Sequence, residues 1–342
     1  MIPTSTRGTT VTAEWSVFTG SGDEWDARLR TLAFPSVHQG FRWAEHRRRF
    51  GWIPLRLVAH RDARVVAMAQ ANVRIVLRGI CVVWVPGGPV GDLTECGDAL
   101  RRTMLVAVGA RFTTIRINPD RPTSEDDDST LTANGWSKSR RTLLSGSTLH
   151  YRPDLPESDR LSHLTRNWRH NLRRGQKRGL DATRWLDPSP DLVRRTYEAM
   201  HEFKGLDRLS DDVTREWIDS VLDAYGDDCI MVRCDDPEGN LLALRGALVL
   251  GDRAFDTFAA ATPEGRKTYA SYVAFWKLME LCAARGVTTY DMGGADAVNN
   301  RGVYDFKQGT GATSVTTTGE WEYARPRLLG NVVARRIARQ GN

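Results

Sequence analysis

One lysine stands between an aromatic residue and a run of glycines in Tyr304-Asp305-Phe306-Lys307-Gln308-Gly309-Thr310-Gly311. The segment Tyr290-Asp291-Met292-Gly293-Gly294 precedes it. Lysine is scarce in this chain: of 48 lysines and arginines, only Lys138, Lys177, Lys204, Lys267, Lys277 and Lys307 are lysine. A compact ammonium meets negative charge at a single point, where a guanidinium presents a planar fork. A lysine kept in a tight Phe-Lys-x-Gly-x-Gly turn therefore suits a site that must hold one concentrated charge. A solvated turn lysine fits the same spacing, and the residues alone leave both readings open.

Leu161 to Leu180 carries a second charge pattern. Leu161, Leu164, Trp168 and Leu172 recur at steps of three and four, one face of a helix. Arg166, Arg169, Arg173 and Lys177 share another face, which His170, Arg174 and Arg178 widen. Gly175 weakens a helix by about 1 kcal/mol and is the expected place for a break. No acidic residue lies between Asp159 and Asp181, so these cations lack i,i+4 partners and repel one another. A polyanion would relieve that repulsion, and arginine stacks on exposed bases, which suits an RNA end. A solvated basic face is the competing reading.

Composition narrows the classes. With 342 residues, 41% hydrophobic and 26% charged, the chain has the make-up of a globular protein of one large or two ordinary domains. The net charge of +6 permits a polyanionic partner. Met1 to Ser16 lacks the apolar centre of a signal peptide and no run reaches the length of a membrane span, so a cytoplasmic protein is expected. Cys81, Cys96, Cys229, Cys234 and Cys282 are scattered, without zinc-knuckle spacing or an answering histidine pair. Reduced thiols and no metal are expected.

The elements that must position these residues read as mixed α/β, twice over. A helix over Gly40 to Phe50 precedes strands at Ile53 to His60, Val65 to Val76 and Ile80 to Val85. Pro86-Gly87-Gly88-Pro89 ends the third strand, because proline and glycine do not continue a central strand. A helix over Leu100 to Ala110, a strand over Thr113 to Ile117 and an acidic surface loop over Asp120 to Ser129 follow. The second half repeats the order: helices at Leu192 to Phe203 and Asp212 to Ala224, then strands at Cys229 to Cys234, Leu241 to Leu250 and Ala254 to Ala260. A helix over Ser271 to Ala284 and strands over Val287 to Asp291 and Ser314 to Thr318 complete it. The joints Ala110-Arg111-Phe112-Thr113-Thr114-Ile115-Arg116 and Ala284-Arg285-Gly286-Val287-Thr288-Thr289-Tyr290 are alike, which suggests two copies of one α/β unit. Pro153 to Pro156 marks the boundary, giving a first domain of 1–153 joined by the segment 315–342, and a second of 154–314. A terminal amphipathic helix, Arg327 to Gln340, is expected to pack back on the first domain.

Together the motifs resemble the Fem (FemABX) family of aminoacyl-tRNA-dependent peptidyltransferases. The resemblance is carried by Tyr290 to Gly294 with Gly302 to Gly311, by Gln39 to Trp52, by Pro86-Gly87-Gly88-Pro89-Val90 and by Trp168 to Gly179, in that family's order and over nearly the whole chain. It implies two tandem GNAT-like acyltransferase domains, and transfer of an aminoacyl group from tRNA to an amine, usually on a peptidoglycan precursor. Aminoacyl-tRNA would be the co-substrate, with no separate cofactor, and the protein would be a monomer without stable membrane insertion. Lys307 would stabilise the oxyanion, with the backbone N–H of Phe306 or Lys307 as a second donor. Arg47, with Trp43 and Tyr304 in the same motifs, would bind the acceptor; Lys204 and Arg208 are further candidates for its phosphates, and Tyr269 and Tyr272 for its channel. Arg166, Arg169, Arg173, Arg174 and Lys177 would meet the tRNA.

Three departures qualify the likeness. Asn118 stands where the family has aspartate, so the proton of the attacking amine needs another acceptor; Asp305 and the tRNA's own hydroxyl are candidates. Thr310 replaces a phenylalanine in the late motif. No heptad segment is present for a coiled-coil arm. The same chemistry on a peptide or nucleoside antibiotic is an alternative. More remote are an acetyl-CoA-dependent enzyme, whose phosphate loop would need glycine where Tyr269 stands, and an RNA-binding module without catalysis.

Overall fold

The computed structural model describes residues 13–77, 79–204, 213–294, 296–298 and 300–325. The expected helix Arg327 to Gln340 and Arg208 lie outside these residues, and nothing is described of the Lys204 side chain. In chain order the first half comprises β1 (Glu14–Val17), α1 (Gly22–Leu29), α2 (Phe41–Arg48), β2 (Ile53–Arg61), β3 (Arg64–Leu77), β4 (Ile80–Gly87), β5 (Val90–Gly91), α3 (Asp98–Val108), β6 (Phe112–Pro119), α4 (Glu125–Ala133) and β7 (Ser137–Lys138). There follow β8 (Ser147–Tyr151), α5 (Glu157–His163), α6 (Arg166–Gln176), β9 (Asp181–Arg184), α7 (Pro190–Lys204), α8 (Arg215–Tyr225), β10 (Cys229–Asp235), β11 (Leu241–Leu250) and β12 (Arg253–Ala261). The last elements are α9 (Pro263–Lys267), α10 (Ala270–Ala284), β13 (Thr289–Gly294), α11 (Arg301–Gly309), β14 (Thr313–Thr316) and β15 (Trp321–Arg325).

Two sheets form. The first runs β1-β2-β3-β4-β6-β15-β7, with β5 on β3; the second runs β14-β8-β13-β12-β11-β10-β9. Each is antiparallel except for one parallel pair, β4 with β6 and β12 with β13. A helix links each pair, α3 in the first and α10 in the second, so the repeated unit read from the two joints is present. Two strands cross over: β8 joins the second sheet, and β15 returns to lie between β6 and β7 in the first. One apolar core lies against each sheet, and a third draws Trp25, Leu29, Val58 and Met68 from the first half and Trp217, Leu244 and Phe258 from the second.

The parallel pairs differ in one respect that makes the site. β4 and β6 stay paired from Ile80↔Phe112 to Gly87↔Pro119. β12 and β13 pair only from Arg253↔Thr289 to Phe255↔Asp291, although β12 runs on to Ala261. The unpaired stretch of β12 cannot leave its donors orphaned. The Ala259 N–H is satisfied by the Tyr197 hydroxyl on α7, at 2.7 Å.

Three expectations need correction. The acidic Asp120 to Ser129 is not a loop throughout: Ser124 caps α4, and Glu125, Asp126, Asp127 and Asp128 fill its first turn, where carboxylates oppose the positive end of the helix dipole. The basic helix is two helices, broken at Leu164-Thr165 rather than at Gly175, because the Thr165 hydroxyl caps α6. Gly175 is inside α6 and lets it approach α10: a Cβ there would stand 2.7 Å from Val273 Cγ2 and 3.2 Å from the Tyr269 carbonyl oxygen. Gly175→Val should therefore cost about 1–3 kcal/mol through overpacking. An unchanged melting temperature would refute this packing role. Finally, Lys307 is not in a glycine turn but in the last turn of α11; the turn comes after it, at Gly311 (φ 80°).

Candidate functional site

The N-terminus of α6 clasps the C-terminus of α11. Trp168 Nε1 donates to the Phe306 carbonyl at 3.1 Å, and the Thr165 N–H donates to the Gly309 carbonyl at 2.9 Å. Phe306 packs edge-on against Tyr272 and Phe275, with ring centroids 5.1 and 5.8 Å away, and the Arg245 guanidinium lies over its face at 4.7 Å. This clamp fixes the position of Lys307. Its ammonium is 8% exposed as a residue and donates to the Gly293 and Gly294 carbonyls at 3.2 and 2.8 Å. Gly293 takes a left-handed conformation (φ 72°), which a side chain would strain, and that conformation turns these carbonyls toward the amine. Among the described residues, two of three ammonium donors are engaged, leaving one for a ligand.

Lys307 sits where the sheet parts. A cavity of 590 Å³ on one side is lined by Trp43, Arg47, Asn72, Asn118, Asp120 and Asp291, among others. A second, of 600 Å³, is lined by Lys307, Phe306, Tyr269, Tyr272, Arg245 and Arg266, among others. Asp256 lines both. Its Oδ1 accepts from the Tyr290 hydroxyl at 2.8 Å, and its Oδ2 pairs with Arg245 at 3.3 Å. Burial raises the Asp256 carboxyl above its ordinary range, against the pull of Arg245 and Lys307. Burial likewise lowers the Lys307 ammonium, while Asp256 and Asp291 support its charge.

The structure thus divides the residues named from sequence between two cavities that share Asp256. Arg47, Trp43 and Asn118 share the first cavity; Phe306, Tyr269 and Tyr272 share the second with Lys307. Asp305 points away: it is exposed and paired to Arg301 at 2.8 Å, so it is not placed to take a proton in either cavity. Tyr304 lies on α11, half-buried, with its hydroxyl near Gln308 and outside both linings. The backbone N–H groups of Phe306 and Lys307 lie beyond the first turn of α11 and are committed to the helix, which removes them as extra oxyanion donors.

On α6, Arg166, Arg173 and Lys177 are exposed, and no ion pair holds them among the described residues. Arg169 differs: its guanidinium donates to the Ser162 and Leu164 carbonyls, where it caps the end of α5 rather than facing solvent. The Arg174 guanidinium lies 4.6 Å over the Tyr269 ring, so the basic stripe reaches the second cavity. Tyr269 itself has φ 65°, the glycine-like conformation of that loop.

Sequence reading passed over His38, Asp120, Tyr197, Arg245, Asp256 and Asp291. Asp291 lay in a noted motif, and Asp120 two residues past Asn118. Asp256 carried the clearest signal, a lone carboxylate inside the apolar strand Ala254 to Ala261.

Residues 166–308 match the acetyltransferase (GNAT) domain family. Among solved structures, FemX superposes with a TM-score of 0.79 at 18% identity, covering 93% of this chain and 99% of that one. The C-terminal domain of a putative lysylphosphatidylglycerol synthetase from Agrobacterium fabrum gives 0.52 at 13% identity, over 89% and 93% of the two chains. A tandem GNAT protein from the clavulanic acid biosynthesis pathway gives 0.52 at 14%, over 91% and 98%. No curated protein matches the sequence. The chain has the tandem GNAT acyltransferase fold, in the arrangement of FemX.

Proposed function

We propose, for a chain with the tandem acyltransferase fold of FemX, that it transfers an aminoacyl group from aminoacyl-tRNA to an amino group, forming an amide by direct aminolysis of the ester. One observation carries the reading: a buried ammonium lines one of two cavities that share Asp256, and a basic helix leads into that same cavity. The charged 3′ end enters the cavity of Tyr269, Tyr272 and Phe306, guided by Arg174. The acceptor occupies the cavity of Trp43, Arg47 and Asn118. Lys307 meets the charge that forms on the carbonyl oxygen, in a site where burial makes that interaction strong.

The acceptor we favour is the peptide of a peptidoglycan precursor, with Arg47 on the precursor's phosphates. A second reading, an amine-bearing small molecule or peptide antibiotic, is favoured by the carboxylates Asp120, Asp256 and Asp291 in the same lining. Both place the reaction in the cytoplasm, where charged tRNA is found; no helix among the described residues is long and apolar enough to cross a membrane.

The test is incubation with a mixed pool of charged tRNAs and a panel of precursor peptides and amines, read by mass spectrometry. An aminoacylated product that disappears after RNase pretreatment is expected. Product that survives RNase, or saturable acetyl-CoA binding by calorimetry with acetyl transfer, would replace this function with another acyl transfer.

A further inference from the structure

The attacking amine must lose protons, yet Asn118 cannot take one and Asp305 faces solvent. The acceptor cavity holds a better-placed group. Asp291, on β13, lines that cavity and is 8% exposed. Its Oδ1 accepts hydrogen bonds from the Thr148 hydroxyl and from the Gly293 N–H, the latter at 2.7 Å. Among the described residues its Oδ2 faces only His150 Nε2, 3.8 Å away and beyond hydrogen-bonding distance. One oxygen is anchored and the other is open. The same short segment connects Asp291 to Lys307, whose ammonium is bonded to the carbonyls two and three residues on, Gly293 and Gly294. The buried Asn72 Oδ1, on a residue that lines this cavity as well, has no hydrogen-bond partner among the described residues. With Asp120 and Asp256, the cavity offers acceptors to a group rich in donors.

We propose that Asp291 receives the acceptor substrate as an ammonium and is the proton acceptor of the transfer. The inference rests on the aminoacyl-transfer reading above. The Asp291 carboxylate takes one proton from the ammonium and later releases it to water. The freed nitrogen lone pair attacks the ester carbonyl, and the oxyanion forms against Lys307. The nitrogen sheds its second proton to the ribose oxygen as the C–O bond breaks, leaving an amide and a free hydroxyl. Burial and the charge of Asp120 raise Asp291 to about 7, opposed by the Thr148 and Gly293 hydrogen bonds and by Arg253. That narrows its distance from an alkylammonium near 10.4. The remaining titratable groups facing it are His150 on β8, which burial keeps toward its neutral form, and Lys307 on α11.

The experiment compares two amines with the charged-tRNA pool: a lysine-containing precursor pentapeptide, and methoxyamine, which is already unprotonated at neutral pH. Asp291→Asn should lose about 100-fold in kcat/KM with the peptide and lose the acid limb near pH 7, yet stay within about threefold of wild type with methoxyamine. Equal losses with both amines would reduce Asp291 to a structural role, and no loss with the peptide would remove it from the reaction. Asp120→Asn leaves Asp291 in place and should move the acid limb to lower pH; an unmoved limb overturns the proposal even if the first variant misfolds. Wild type that makes no product with either amine sinks the transfer reading itself, before any variant is compared.

Discussion

Lys307→Ala should slow the proposed aminoacyl transfer by about 100- to 1000-fold while leaving affinity for charged tRNA near that of the wild type. The magnitude is that of removing one preorganised donor from an oxyanion site. The geometry makes the effect specific to chemistry. Lys307 is anchored by protein carbonyls rather than by a substrate, so its ammonium is fixed in place before anything binds. Its loss removes an interaction that strengthens only as the carbonyl oxygen gains charge, which lowers kcat more than it raises KM. Lys307→Arg should not restore the rate. A planar fork cannot be bonded to two carbonyls and still direct a donor into the same narrow parting of the strands. Single-turnover rates with saturating tRNA decide the matter; a rate within threefold of wild type would move the oxyanion site elsewhere.

Glu320→Ala should cost about 3–5 kcal/mol of folding stability, the loss typical of breaking a buried ion pair from one side. Glu320 is 2% exposed and Arg116 4%. Glu320 Oε2 pairs with Arg116 at 2.9 Å, and Glu322 pairs with the same guanidinium at 3.1 Å. Glu320 Oε1 also accepts from the N–H groups of Leu143 and Leu144, at 2.6 and 2.7 Å. Alanine would strand a buried guanidinium on one remaining carboxylate and orphan two amides. Burial raises the Glu320 carboxyl, but Arg116 and those amides oppose the rise and support its ionised form. Glu320→Gln keeps an acceptor and should cost less. Because Leu143 and Leu144 line the cavity proposed for the acceptor, either change should also raise KM for the acceptor amine. Urea denaturation checks the first effect; a loss below about 1 kcal/mol would mean that Glu322 alone holds Arg116.

The elements whose signal is local were legible in the sequence. The strands Ile53–Arg61, Arg64–Leu77 and Leu241–Leu250 are rich in branched residues, and their pairing followed. The repeat was legible because the two joints retain one pattern of small, basic and branched residues. What escaped depended on partners distant in sequence. Four acids in a row look like a solvated loop until a serine cap and a helix dipole are placed beside them. A lysine before two glycines looks like a turn lysine until its helix is seen. The candidate site divides in the same way. Lys307, Arg47, Trp43, Asn118, Tyr269 and Tyr272 stand in recognisable motifs, and the structure brings them to the two cavities. Asp256 left a trace as a lone carboxylate in an apolar strand, but its place beside Asp291 follows from the parting of β12 and β13, an event that no single segment encodes.

The exchange of strands between the two sheets has a consequence for anyone cutting the gene in half. A fragment ending near Pro153 would keep β6 but lose β15, its neighbour on one side. It would also carry β8, cut off from β13 and β14. Both strands would then offer unsatisfied backbone edges, which recruit other chains. The halves therefore look like duplicated modules yet should be insoluble when expressed separately. Co-expression should recover them only where the second fragment extends through Arg325 and can return β15 to its place.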